Sequence, residues 1–177
     1  EKYEINDPNA LSLATADKKG TPSARMVLLK EVNHDSFIFY TNLNSNKSSD
    51  IIENPKAAMC FHWKSLQRQV RVLGHIDKVD NNTADKYFNS RSYESRIGAW
   101  ASEQSKILKN RNDLLSKIDE YKKKYPDKNN LPRPKHWSGW KLTPSSIEFW
   151  LDGDSRIHER LKYIKTNNVW QKFLLNP

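Results

Sequence analysis

From Leu11 to Val79 the apolar residues come in short runs broken by turn-forming words, so the chain must satisfy its backbone by pairing one run with the next. Alternation in Leu11-Ser12-Leu13-Ala14-Thr15, the turn word Asp17-Lys18-Lys19-Gly20 and the run from Ser23 to Glu31 predict an opening hairpin. A third strand is expected at Phe37 to Thr41. Ser45 or Asn46 then caps a short helix through Ile51 and Ile52, closed by Asn54-Pro55 because a proline disfavours helix in the residue before it. Ala57 to Trp63 and Arg68 to Val79 predict two more antiparallel strands, and helices are expected over Thr83 to Ser90, Glu94 to Ala101 and Ser105 to Tyr125. After the link Leu131-Pro132-Arg133-Pro134, the last strands fall at Trp137 to Leu142, Ile147 to Asp152, Arg156 to Ile164 and Val169 to Phe173. Many short strands with helices inserted late predict a mainly β fold with peripheral α-helices (α+β), a small antiparallel barrel.

A chain of 177 residues is about one domain long, so a single domain over residues 1–177 is expected, burying roughly 70% of its unfolded surface. The hydrophobic fraction is a low 36%, but six Trp, seven Tyr and six Phe supply the large apolar groups that a disordered chain lacks. No apolar run approaches the roughly 20 residues that span a bilayer, and Glu1 to Pro8 contains no apolar signal core. The expectation is a cytoplasmic protein without a membrane partner. The single Cys60, within Ala57-Ala58-Met59-Cys60-Phe61, is expected to be a small buried hydrophobe rather than a nucleophile.

The net charge of +9 is concentrated. Between Lys106 and Lys135 ten cations face four acids, which accounts for six of the nine charges. Ile107, Leu108, Leu114, Leu115, Ile118 and Tyr121 recur there at helical spacing, placing the cations on the outer face of an amphipathic helix. A solvated face is preferred over a nucleic-acid-binding stripe.

Several chemistries drop out. The only glycines are Gly20, Gly74, Gly98, Gly139 and Gly153, so neither a GxGxxG loop nor a P-loop can be written, and any phosphate must be held chiefly by side chains. His34, His62, His75, His136 and His158 form no HExxH pair and have no Cys partners at zinc spacing, so no metal centre is expected.

Three constellations remain. Arg25, Lys30, Tyr40, Thr41, Ser45 and Lys47 are cations and hydroxyls suited to charge-assisted bonds with a phosphate. On a regular strand Arg25 and Lys30 would point to opposite faces, serving different ligands unless a bulge lies between them. Tyr87, Arg91 and Ser95 would form one axial row on a continuous helix, able to offer a phenol, a guanidinium and a hydroxyl to one phosphate, unless Ser90 to Ser92 break the helix. Arg156, His158 and Arg160 would share one face of a strand, with Trp150 nearby as an aromatic plate. Such a row repels itself unless solvent or an anionic ligand lies across it.

The words Arg25-x-Val27-Leu28-Leu29-Lys30, Tyr40-Thr41-Asn42, Arg68-Gln69-Val70, Tyr87-Phe88, Ser95-x-Ile97-Gly98-Ala99-Trp100, Gln104-Ser105, Glu148-Phe149-Trp150 and Arg156-x-His158-x-Arg160 occur in that order from Asp7-Pro8 to Pro177. In these the chain resembles the pyridoxamine 5'-phosphate oxidase family. The resemblance implies an FMN-binding split β-barrel that dimerises, with two FMN sites at the subunit interface. It implies FMN contacts from Arg25, Met26, Val27, Leu28, Leu29, Lys30, Tyr40, Thr41, Asn46, Lys47, Gln69, Gln104, Ser105, Trp150 and Arg160. It further implies that Lys30, Tyr87, Arg91 and Ser95 clamp the substrate phosphate, while Arg156, Ile157 and His158 cover the pyridine ring, with Arg156 and His158 nearest the chemistry. The activity implied is oxidation of pyridoxine or pyridoxamine 5'-phosphate to pyridoxal 5'-phosphate, with hydride passing to FMN and oxygen reoxidising it to give peroxide.

The chain departs from that pattern at Asn46, where the family usually has a cation beside Lys47, and at its end, Leu174-Leu175-Asn176-Pro177, where the family often has Arg-Leu-x-Pro. The segment that in some members folds over the substrate has no counterpart in these residues. Two alternatives stay open: a related FMN oxidase acting on another ring, such as a phenazine precursor, and a non-catalytic module that binds flavin or, through Lys106 to Lys135, nucleic acid.

Overall fold

The structure, a computed structural model, describes residues 7–177. The expectation about a signal core therefore falls, for Glu1 to Asn6, outside the described residues. Nine strands and four α-helices follow in the order β1 (Ala10–Ala16), β2 (Pro22–Leu28), β3 (Glu31–Asn33), β4 (Ser36–Asn42), α1 (Asn46–Glu53), β5 (Lys56–Trp63), β6 (Arg68–Lys78), α2 (Asn81–Ser90), α3 (Tyr93–Ala101), α4 (Arg111–Lys124), β7 (Trp137–Leu151), β8 (Glu159–Thr166) and β9 (Val169–Leu175). The mainly β class with helices inserted late is what the strand and turn words predict. Among the described residues no helix is long and apolar enough to cross a membrane.

The described residues divide into two compact units: residues 7–39, 50–77 and 141–177 form the first, and residues 40–49 and 78–140 the second. The chain passes between them inside β4, α1, β6 and β7.

The first unit carries most of one sheet, ordered β2-β1-β5-β6-β7-β4-β3 with β8 on β7 and β9 on β8; β1 pairs antiparallel with β2 and β5, β5 with β6, β3 with β4, and β8 with β7 and β9. The period-2 pattern of β1 turns Leu11 and Leu13 inward, where they are sealed from solvent together with Met59, Val72, Ile76 and Leu142. Burying each such side chain contributes about 1.5–3 kcal/mol. Gly74 on β6 has no room for a side chain, because a Cβ there would stand 2.1 Å from the Thr143 carbonyl oxygen of β7.

Three expectations need correcting here. The run from Ser23 to Glu31 is not one strand: β2 ends at Leu28, the Leu29 amide donates to Asn9 O, and the Lys30 amide donates to Ile38 O. The backbone thus changes partner between Leu29 and Lys30, and the opposite-face argument for Arg25 and Lys30 lapses. Trp137 to Leu142 and Ile147 to Leu151 belong to one continuous strand, β7, which runs through Pro144; the Ser145 hydroxyl donates to Leu73 O. Cys60 is half-buried rather than sealed.

The second unit packs Phe88 of α2, Ile97 of α3, Leu131 and Trp137 into a core, with Ile118 and Tyr121 of α4 against it. Side-chain caps start its helices. Asp80 accepts from the Thr83 amide, Ser92 from the Ser95 amide and Asn110 from the Asn112 amide. The expected helix from Ser105 begins only at Arg111, because Ser105 has φ +72° and Asn110 is extended. Ile107, assigned to its apolar face, is 97% exposed.

Candidate active site

In the second unit Lys47, in the first turn of α1, is buried, and its ammonium donates to Thr41 Oγ1 at 3.0 Å, Ser45 Oγ at 3.0 Å and Gln104 Oε1 at 3.1 Å. Thr41 Oγ1 donates in turn to Gln104 Oε1, and the Asn46 amide donates to Ser105 Oγ. Five of the residues expected to contact a cofactor, Thr41, Asn46, Lys47, Gln104 and Ser105, are thereby gathered at one helix start. An ammonium this far from water is costly unless hydrogen bonds compensate it. An ammonium, hydroxyls and a helix N-terminus together form a donor set that matches a phosphate.

The same unit holds an aromatic stack. Tyr40 lies on Tyr87 with ring centroids 3.9 Å apart and planes 12° from parallel, and Trp137 continues the stack 5.5 Å from Tyr40. The Arg91 guanidinium lies 4.7 Å from the centre of the Trp137 ring. Its Nη1 is buried and meets no hydrogen-bond acceptor among the described residues. Burial lowers the affinity of Arg91 for its proton, Tyr87 opposes this and Arg96 adds to it, but a guanidinium remains charged. Burial also pushes the Tyr87 phenol up, against the pull of Arg91.

Tyr87, Arg91 and Ser95 are not one axial row. At Arg91 ψ is 154°, which ends α2, and Ser92 then caps α3, its hydroxyl 2.9 Å from Ser95 Oγ. The serines around Arg91 are a stop and a start, and Arg91 projects from the break between two helices.

In the first unit Arg25, Val27 and Leu29 alternate with Met26, 66% exposed, and Leu28; Lys30 is exposed. Arg25 bonds Thr15 Oγ1 at 2.6 Å, Ser23 Oγ at 2.7 Å and Leu13 O at 3.3 Å, and its Nη2 lies 3.7 Å from Asp50 Oδ2. Gln69, Trp150 and Arg160 line a cavity of about 920 Å³ whose walls include Phe61, Trp63 and Leu161. Such an apolar cleft with a few polar groups suits a planar ring. Arg160 is held by Glu148, with Nε at 3.0 Å and Nη2 at 2.7 Å from the same carboxylate oxygen, and Arg71 Nη1 lies 3.5 Å from the other.

The row expected from Arg156, His158 and Arg160 does not form. Ser155 and Arg156 take left-handed φ values of 55° and 66° within a 3-10 turn, and β8 begins only at Glu159, opposite Leu151. The three side chains therefore share no strand face; Arg156 and Ile157 are exposed on the turn. Gly153 permits this tight path, since a Cβ there would stand 2.1 Å from Ile157 O. His158 packs against Trp150 at 4.7 Å between ring centroids, so the aromatic plate is present, and its Nδ1 is 2.9 Å from Asp152 Oδ1.

Three acids that support these groups were absent from the expected set: Asp50, Glu148 and Asp152. Glu148 could have been found, since it lies two residues before Trp150 and so on the same strand face. Asp152 adjoins the Gly153 turn, while Asp50 gives no sequence signal.

Compared with known proteins, residues 2–125 match the family described as pyridoxamine 5'-phosphate oxidase. Residues 137–177 match the pyridoxine 5'-phosphate oxidase C-terminal dimerisation region. A relative from Pelagibacter ubique, named pyridoxine/pyridoxamine 5'-phosphate oxidase, is 65% identical over 178 residues, covering 100% of this chain and 86% of that protein. Another of that name, from Novosphingobium aromaticivorans, is 51% identical over 175 residues, covering 98% and 86%. Among solved structures, PhzG from Burkholderia lata 383 in complex with tetrahydrophenazine-1-carboxylic acid superimposes with a TM-score of 0.92 at 29% identity, covering 98% of this chain and 84% of that one. A pyridoxamine 5'-phosphate oxidase-related, FMN binding protein from Nostoc punctiforme shares the fold, with a TM-score of 0.78 at 18% identity over 98% of this chain and 90% of that one.

Proposed function

The chain belongs to the pyridoxamine 5'-phosphate oxidase family, and from that premise we propose that it is an FMN-dependent oxidase making pyridoxal 5'-phosphate from pyridoxamine or pyridoxine 5'-phosphate. FMN, when bound, would supply the electron acceptor for a hydride from the substrate carbon, with O2 as the final oxidant and H2O2 as its product. The amine route also consumes water and releases ammonia; the alcohol route needs neither.

The side chains bind and orient. Lys47, with the hydroxyls of Thr41, Ser45 and Ser105, is read as the hold on the FMN phosphate, and its donor chemistry fits that group. Gln69, Trp150 and Arg160 are read as FMN contacts along the cavity of the first unit. Arg91, stacked on Trp137 beside Tyr87, is read as the clamp on the substrate phosphate, with Ser95. His158, whose Nδ1 lies against Asp152 Oδ1 and accepts from the Gly153 amide, is read as taking or giving a proton at the substrate through Nε2, and Arg156 is read as stabilising negative charge on the pyridine system. The dimerisation region and the exposed Trp170, Phe173 and Leu174 within it support a homodimer.

The observation that carries the reading is Arg91 Nη1, a buried donor with no acceptor in the described structure. Leaving such a donor unmet costs about 1–3 kcal/mol, and an anionic substrate group would supply the acceptor. A carboxylate would also answer it. Oxidation of a carboxylated ring, as the likeness to PhzG suggests, is therefore the second reading. Purified protein reconstituted with FMN should show a flavin spectrum, form pyridoxal 5'-phosphate and release one peroxide per turnover. A colourless protein that cannot be reconstituted would sink the proposal, and turnover of tetrahydrophenazine-1-carboxylic acid alone would install the second reading.

A further inference from the structure

Arg25 is held twice over. Its Nη1 reaches Thr15 Oγ1 and Leu13 O, its Nη2 reaches Ser23 Oγ, and all three acceptors are uncharged groups of β1 and β2. Asp50 adds the charge: its Oδ2 lies 3.7 Å from Arg25 Nη2 and accepts a 2.6 Å hydrogen bond from the buried Thr15 hydroxyl. Guanidinium, hydroxyl and carboxylate thus close into one cluster, with both charged side chains about four-fifths removed from solvent. Burial depresses the proton affinity of Arg25 and Asp50 opposes it, as expected of a counter-charge at short range.

From this geometry we propose that Asp50 weakens the hold on the cofactor phosphate by neutralising Arg25; the proposal rests on reading Arg25 as an FMN contact. A phosphate dianion approaching Arg25 must share the guanidinium with a carboxylate already beside it, and the two anions repel across a partly desolvated space. Asp50 sets the charge that Arg25 offers, while Thr15, Leu13 and Ser23 set its position. Removing the charge while keeping the shape should therefore leave the guanidinium in place and free its charge for the ligand.

The test is titration of apo-protein with FMN and with riboflavin, which has the same ring and no phosphate, at low and high salt, followed by flavin fluorescence. Asp50→Asn, which can still accept from Thr15, should bind FMN roughly tenfold more tightly at low salt, with the gain shrinking as salt rises and riboflavin unaffected. Asp50→Glu should stay close to the parent. If Asp50 merely ties α1 to β1, Asp50→Asn will bind both flavins unchanged or more weakly; that result, or an equal gain for both, overturns the proposal while leaving the cofactor reading intact. FMN binding by neither parent nor variant overturns both. A thermal melt of each variant without flavin shows whether a loss of binding is a loss of fold.

Discussion

Glu148 offers one carboxylate oxygen to both Nε and Nη2 of Arg160, at 3.0 and 2.7 Å, from a position only 7% exposed. In the β7–β8 pairing Glu148 stands opposite Lys162 and Trp150 opposite Arg160, so the contact runs diagonally across the ladder, within reach of long side chains. It fixes the guanidinium at the rim of the cavity that Gln69 and Trp150 also line.

Removing one partner of such a buried pair strands the other, at a cost of about 3–5 kcal/mol. Arg160 also bonds Asn176 O and keeps some solvent, which places Glu148→Ala near the lower end. A fall of roughly 6–12 °C in Tm follows for a chain of this size. Glu148→Gln, which keeps an acceptor, should lose less. Melts at fixed protein concentration check this, and an unchanged Tm for Glu148→Ala would mean that the pair is idle.

Arg91 should contribute uniform binding. The phosphate it is read to clamp does not react, so Arg91→Ala should raise KM by about 10- to 100-fold, the equivalent of one charge-assisted hydrogen bond, with kcat little changed. Arg91→Lys should not rescue, since an ammonium lacks the flat face that lies over Trp137. Steady-state kinetics on pyridoxamine 5'-phosphate decide it; an equal loss in kcat would move Arg91 towards the reacting carbon.

What the sequence made legible divides along a physical line. Strands whose apolar period matched their turns, such as β1 with Leu11 and Leu13 inward, could be read directly, and the short helix Asn46–Glu53 could be read from Ile51, Ile52 and its closing proline. The residues around Lys47 could be named because they lie within a few positions of one another, apart from Gln104 and Ser105, which the family words supplied. Features set by backbone conformation could not be read. Strand alternation says nothing of the left-handed Ser155 and Arg156 that break the expected row, nor of the partner change between Leu29 and Lys30. Long-range tertiary pairs such as Thr15 with Asp50 leave no local trace at all.

Cys60 supplies a pH dependence. Burial pushes its thiol up and Arg71 pulls it down, with burial the larger influence. A pKa raised on folding means that the folded state holds the proton longer. The stability it contributes is therefore complete below the ordinary thiol value of about 8.5 and is lost as pH climbs through the folded value. Native protein should react slowly with iodoacetamide at pH 7.5 and several-fold faster in denaturant, and Cys60→Ala should flatten part of the alkaline loss of stability. Native and denatured rates that agree at pH 7.5 would show that the thiol is not shielded.

Asn46 lets two electrostatic effects compete at one helix start. Its amide already bonds Ser105 Oγ, and Lys47 beside it is buried among hydroxyls, so a side chain at position 46 borders the proposed phosphate site. Asn46→Arg should add a charge-assisted contact of about 1.5–3 kcal/mol at most, less where solvent reaches it. Against this, a cation in the first turn of α1 opposes the helix dipole, at a cost of about 0.3–1 kcal/mol. That cost is paid in free and bound protein alike, so it lowers the Tm of apo-protein without entering the FMN equilibrium. The variant should therefore melt slightly lower without flavin, bind FMN more tightly at low salt, lose most of that advantage at high salt, and keep the substrate KM. Titration and melting of the two apo-proteins separate the effects: a lower Tm with unchanged FMN binding would place the side chain of residue 46 away from the phosphate.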